Sequence, residues 1–178
     1  MKNSYKTIAA LVLSILTITS FSLNAQDKAK GIPSVKLKTL DGKIISSDDF
    51  KNDGKPIIID FWATWCKPCV NELNTIQELY GDWKKETGVK LIAISIDDAR
   101  TMSTVASFVN GKNWDYEVYL DPNSDFKRAM NVNMVPHTFI LNGNKEIVSQ
   151  HSSFAPGDEE KLYEEVKKAA AGVQTKGE

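Results

Sequence analysis

Apolar and polar positions along this chain group into short runs that predict a succession of strands and helices. Val35-Lys36-Leu37-Lys38 and Lys43-Ile44-Ile45 flank Asp41-Gly42, which predicts a β-hairpin. Ser47, Asp48 and Asp49 then suit a short helical turn. Pro56-Ile57-Ile58-Ile59-Asp60-Phe61-Trp62 is continuous, β-branched and apolar apart from one acid, the pattern of a central strand buried on both faces. From Lys67 to Lys85 the period changes. Val70, Leu73, Ile76, Tyr80 and Trp83 recur at steps of three and four, the spacing of one helical face, and Gly88 ends the run. Val89 to Ile96 reads as a second buried strand, 99–110 as a helix, Tyr116 to Leu120 as a short strand and Ser124 to Met130 as a short helix. Thr138 to Leu141 is a strand that Asn142-Gly143 turns into a partner over Lys145 to Gln150. Asp158 to Ala171 is a last helix, with acids at its start and Lys167 and Lys168 near its end, matching the helix dipole.

Strand, helix, strand early in the chain implies a parallel pair with a right-handed crossover, and the late hairpin implies an antiparallel half. The expected fold is α/β, a mixed central sheet flanked by helices on both faces, with an N-terminal β-hairpin and a central strand–helix insertion. No internal repeat or low-complexity stretch interrupts it.

The first 25 residues break this pattern. Lys2 and Lys6 are the only charges before Asp27, and Ile8 to Leu23 is apolar or carries only Ser and Thr before the step Asn24-Ala25-Gln26. A basic start, an apolar middle and a small residue at the exit read as a secretory signal peptide cut after Ala25. The alternative is an uncleaved anchor, although about 16 apolar residues fall short of the roughly 20 that span a bilayer. Residues 26–33 then form a linker, 34–172 the folded domain and 173–178 a flexible tail. Loss of residues 1–25 removes two lysines and no acid, taking the formal charge from −1 to −3. Neither value carries the basic excess of a nucleic-acid binder. The expected location is periplasmic or otherwise extracytoplasmic, with membrane contact only if the N-terminal segment stays uncleaved.

Only two cysteines occur, Cys66 and Cys69, in Trp65-Cys66-Lys67-Pro68-Cys69. A chain of this size buries a core without staples, so a single close pair points to chemistry more than to bracing. The pair falls where a buried strand ends and a helix begins. Residues three apart in a first turn share a face, so the two sulfurs can meet as a redox disulfide. The unpaired N–H groups and dipole of a helix start favour a thiolate. Cys66, expected near the N-cap and exposed, is the candidate attacking thiol, and Cys69, one turn in and more covered, the resolving thiol. Pro68 loses little in a first turn. Lys67 either stabilises the thiolate or is simply solvated. Half of a zinc knuckle is the competing origin of such a pair, but structural zinc needs four ligands and the chain holds two Cys and two His.

The run Phe61-Trp62-Ala63-Thr64-Trp65-Cys66-Lys67-Pro68-Cys69 resembles the active-site motif of thioredoxins. The N-terminal hairpin and the extra strand and helix between about 114 and 130 make residues 33–171 similar to the extracytoplasmic thioredoxin-like branch that includes the TlpA and ResA proteins. The resemblance implies a thiol–disulfide oxidoreductase without cofactor or metal, monomeric, acting on protein dithiols and disulfides. It also implies an upstream electron donor such as a membrane thiol–disulfide transporter. Its roles in this branch include reducing apocytochromes before haem attachment and more general disulfide reduction.

The same resemblance carries over to single residues. Asp60, six before Cys66, matches a buried acid that moves the proton of the resolving thiol; the alternative is a structural acid with a hydrogen-bond partner. Glu72 matches a thiol-tuning acid, or else faces solvent on the helix. Many relatives have Pro two residues later, where this chain has Asn74. Pro136 in Val135-Pro136-His137-Thr138-Phe139 matches a cis-proline packed on the dithiol, and Val135 a residue whose backbone pairs with substrate. Trp65 offers partners an apolar surface while Trp62 packs in the core. His137 is either a partly buried polar residue, a charge that tunes the thiolate, or, with Cys66 and Cys69, part of a soft copper site in a thioredoxin-fold chaperone. His151 is expected at the surface, at the far end of the hairpin. A peroxidase of the peroxiredoxin group would need a lone attacking cysteine, which the adjacent pair argues against.

Overall fold

The computed structural model describes residues 31–172. The expected signal segment, most of the linker and the 173–178 tail lie outside the described residues. Among the described residues no helix is long and apolar enough to cross a membrane.

Strands β1 (Lys36–Thr39) and β2 (Ile44–Ser46) form the N-terminal hairpin, followed by a 3-10 turn over Ser47–Asp49. Ser46 and Asp49 close that turn reciprocally: the Ser46 hydroxyl accepts the Asp48 N–H, and the Asp49 carboxylate accepts the Ser46 N–H. Strand β3 (Ile57–Trp62) leads into helix α1 (Lys67–Thr87), then come β4 (Lys90–Ser95), α2 (Met102–Lys112), β5 (Glu117–Leu120) and α3 (Asp125–Ala129). The hairpin β6 (His137–Leu141) and β7 (Ile147–Ser152) and helix α4 (Asp158–Ala170) complete the fold.

The strands make one seven-stranded sheet in the order β2-β1-β5-β4-β3-β6-β7. Strand β3 runs parallel to β4 and antiparallel to β6, so it is the centre of a mixed sheet. All six of its residues are buried. Because side chains alternate along a strand, β3 serves both faces. Trp62 meets Phe108 of α2 at 5.8 Å and Trp114 at 5.0 Å on one face, while Phe61 meets Phe126 of α3 at 5.3 Å on the other.

Helix α1 lays Leu73, Ile76, Tyr80 and Trp83 on the core, and the Tyr80 hydroxyl accepts the Leu91 N–H of β4 at 2.8 Å. Trp83 stacks on Tyr163 of α4 at 4.8 Å, which joins the two helices. The helix ends at Gly88 with φ 69°, a left-handed cap that glycine adopts without strain.

Two elements start two or more residues later than the periodicity predicts. The helix expected from 99 begins at Met102, because Asp98 first closes a turn that takes the N–H groups of Arg100, Thr101 and Met102. The return strand expected from Lys145 begins at Ile147, because the Asn142 side chain accepts the N–H groups of Asn144 and Glu146 and prolongs the turn. Glycine is required at 143 by close approach: an added Cβ would lie 2.1 Å from the Gly54 carbonyl oxygen.

Candidate active site

The C-terminal end of β3 delivers the chain into a short loop, Ala63 to Trp65, and then into α1. Cys66 is the N-cap of that helix, Lys67 its first residue, and Pro68 lies in its first turn, where its missing N–H costs nothing. Cys66 and Cys69 are joined as a disulfide with their Cα atoms 5.3 Å apart. The Cys69 N–H points at Cys66 Sγ at 3.3 Å. A capping sulfur in that place accepts a hydrogen bond that strengthens when it carries negative charge.

Cys66 is only 6 % exposed, and Cys69 is fully buried. The expectation of an exposed Cys66 is therefore corrected: its sulfur is tied to a buried partner and its N–H to the Ala63 carbonyl at 3.0 Å, which draws the residue inward. The asymmetry of the pair remains. Trp65 and Lys67 on either side are exposed, Trp65 by 62 %.

The loop before the cysteines is held by a residue that the sequence pattern did not single out. Asp97, fully buried just beyond β4, accepts the Thr64 N–H at 2.9 Å, the Thr64 hydroxyl at 2.6 Å and the Ser95 hydroxyl at 2.8 Å. The available signal was an acid at the end of a buried strand parallel to the one carrying the motif.

Asp60 and Glu72 are both fully buried on the α1 face of the sheet. Neither Asp60 oxygen has a hydrogen-bond partner. Burial, and then the nearby charge of Glu72, hold the Asp60 carboxyl well above the usual carboxylate range. Glu72 does not face solvent. Its Oε1 accepts the Thr138 hydroxyl at 2.9 Å, while Oε2 has no partner. Thr138 was another residue not foreseen as part of the site.

The Val135–Pro136 peptide bond is cis, and the Pro136 carbonyl accepts the Ser153 N–H at 3.0 Å, which fastens this loop to the segment after β7. Val135 is half-buried and Met134 before it is 60 % exposed. His137 is half-buried, with Nε2 3.3 Å from Gln150 Oε1 and its ring 4.6 Å from Phe139; burial lowers its pKa. Beside the start of α1, a groove of about 380 Å³ is walled by Lys67, Pro68, Asn71, Asn74, Phe154 and Pro156 among others.

His151 is not the remote surface residue expected from its place in the hairpin. The β6–β7 register sets it opposite Thr138, and its Nε2 lies 3.8 Å from Glu72 Oε1 with the side chain only 28 % exposed. Among the described residues no three His, Cys, Asp or Glu side chains form a group that could hold a metal ion.

The family model for AhpC/TSA proteins matches residues 29–150. The chain is similar to the thiol-disulfide oxidoreductase ResA of Bacillus thuringiensis subsp. konkukian, 32 % identical over 121 residues that cover 68 % of this chain and 67 % of that one. It is also similar to the sporulation thiol-disulfide oxidoreductase A of Bacillus subtilis, 28 % identical over 160 residues, 89 % of this chain and 93 % of the relative. Among solved structures, a thioredoxin-like protein from Porphyromonas gingivalis aligns with a TM-score of 0.71 and 47 % identity over 79 % of this chain and 92 % of the other.

Proposed function

We propose, on the premise that this chain belongs to the AhpC/TSA family of thioredoxin-like proteins and is a thiol–disulfide oxidoreductase, that it works outside the cytoplasm as a reductant of protein disulfides. The observation that carries the proposal is the asymmetric Cys66–Cys69 pair, with Cys66 capping α1 and Cys69 wholly buried behind it.

In the reduced protein, the Cys66 thiolate attacks a substrate disulfide and forms a mixed disulfide, and one substrate sulfur leaves as a thiolate. Cys69 then loses its proton and attacks Cys66 Sγ. The bond between Cys66 and substrate breaks, the second substrate sulfur leaves with the electron pair, and the intramolecular disulfide forms. Asp60 and Glu72 supply the proton acceptor. A carboxyl whose proton affinity is raised toward that of a thiol is well matched to that transfer, and Asp60 is such a group. Lys67, Pro68 and His137 tune the thiols. Trp65 and Val135 form the surface that a substrate strand meets, with Pro136 buried behind Val135 and fixing its backbone. An upstream thiol donor, such as a membrane transporter, returns the disulfide to the dithiol.

Export is supported by the basic, then apolar, N-terminal segment. Resemblance to the ResA branch supports substrates such as apocytochromes awaiting haem, alongside general disulfide reduction. Trapping tests the reading. A Cys69→Ser protein, expressed with its leader, retains substrates as mixed disulfides on Cys66, released by dithiothreitol and identified by mass spectrometry. Absence of any trapped extracytoplasmic protein would overturn it.

A further inference from the structure

The sheet register places a polar row beneath α1. Asp60 on β3 pairs with Thr138 on β6, and Thr138 pairs with His151 on β7. Directly paired residues in neighbouring strands project to the same face. This is the face on which Glu72 hangs from α1, so the Thr138 hydroxyl reaches Glu72 Oε1 at 2.9 Å and His151 Nε2 lies 3.8 Å from the same oxygen. Asp60, Glu72 and Thr138 are fully buried, and three of the four carboxyl oxygens have no partner. Strand β7 is the sheet edge, and the His151 side chain, 28 % exposed, is where this buried polar group meets water.

We propose that His151 is the proton exit of the buried carboxyl pair, a positioning residue that passes the proton released by Cys69 from Glu72 to solvent. The proposal rests on the carboxyl pair being the acceptor for Cys69. In the resolving step Cys69 Sγ–H gives its proton to the pair as its sulfur forms the bond to Cys66. Without an exit the pair stays loaded and must return that proton before the next cycle. An imidazole ring can both accept and donate a proton, and this one needs only a small movement to close 3.8 Å to hydrogen-bonding distance. Thr138 cannot serve alone, because its hydroxyl already donates to Glu72 and it is fully buried. The charged or titratable groups facing His151 are Glu72 from α1, His137 from β6 and, through Ser149 two residues along β7, Glu165 from α4.

The step can be isolated with dithiobis-nitrobenzoate. The reduced protein takes one thionitrobenzoate on Cys66, and attack by Cys69 then releases it as a coloured thiolate. The bond from Cys66 to the probe breaks, the Cys66–Cys69 bond forms, and one proton leaves Cys69. Stopped-flow absorbance follows this release from pH 5.5 to 9 in wild type, His151→Ala, His151→Gln, Glu72→Gln and Asp60→Asn. The expected result is a release slowed by about tenfold in both His151 variants, a modest share of the range for acid–base catalysis, with a displaced pH profile. Added imidazole restores His151→Ala but neither carboxyl variant. The Gln variant keeps the size and polarity of the site, so slowing there is not a packing defect. Full rate and an unmoved profile in both His151 variants, with slowing in Asp60→Asn or Glu72→Gln, would overturn the exit and leave the carboxyl pair standing. Full rate in all four variants would overturn both.

Discussion

Replacing Asp60 by asparagine should stabilise the oxidised protein at alkaline pH. Both carboxyl oxygens are buried without a hydrogen-bond partner, in a strand whose six residues are all buried. Burial and the Glu72 charge raise the pKa well above its ordinary 3.8. Leaving one buried polar group unsatisfied costs about 1–3 kcal/mol, and more when it is charged. The amide keeps the shape and the polar burial but cannot ionise, so it escapes only the extra cost of holding or neutralising a charge, and a gain of about 2 kcal/mol at pH 8 is expected from that difference. For a domain of this size such a gain raises the melting temperature by about 6 °C. The sign with pH follows from proton linkage. Between its unfolded and its raised folded pKa, the native carboxyl holds a proton that the unfolded one has released, so stability falls as pH rises through that window. Wild type and variant should therefore nearly coincide near pH 4 and separate steadily above it. Urea unfolding at pH 4, 6 and 8, followed by tryptophan fluorescence, measures the difference directly. A variant less stable at pH 8, or offset equally at every pH, would refute the view of Asp60 as an uncompensated buried acid.

Asp97→Ala should destabilise the fold by about 3 kcal/mol, since it removes three hydrogen bonds to a carboxylate and strands the Thr64 and Ser95 donors; chemical denaturation checks this. Gly143→Ala forces a Cβ into the Gly54 carbonyl, and an overpacking cost of about 2 kcal/mol is expected in the same assay. Trp65→Ala, at a side chain 62 % exposed, should leave the unfolding midpoint within about 0.5 kcal/mol of wild type. The same change should lower kcat/KM toward a disulfide-bonded protein substrate several-fold, with little effect on the rate toward a small disulfide.

The parts of the fold written in local pattern were legible in the sequence. The β-branched run ending at Trp62, the helical face from Leu73 to Trp83 and the glycine at 88 each specify their element by side-chain period or backbone freedom, and each appears where expected. Boundaries governed by side-chain capping were not, because Asp98 and Asn142 compete locally with the ladder or helix for N–H groups. The cysteine pair was legible because its two members lie three residues apart. Its surroundings were less so, because they come from distant segments. Asp97 reaches Thr64 only once β3 and β4 lie parallel. Thr138 and His151 join Asp60 only through a register spanning three strands. Glu72 had two equal readings until the helix phase turned it into the core.

The central claim is that the dithiol is asymmetric, with Cys66 attacking. Limited alkylation of the reduced protein with iodoacetamide across pH 5 to 9, followed by peptide mass spectrometry, tests it most directly. The account predicts label on Cys66 alone while the protein is folded, with a rate that titrates at about pH 7 or below instead of the ordinary value near 8.5. Cys69 should react only after denaturation. Label on Cys69 first, or equal labelling of both with titration at about pH 8.5, would contradict it.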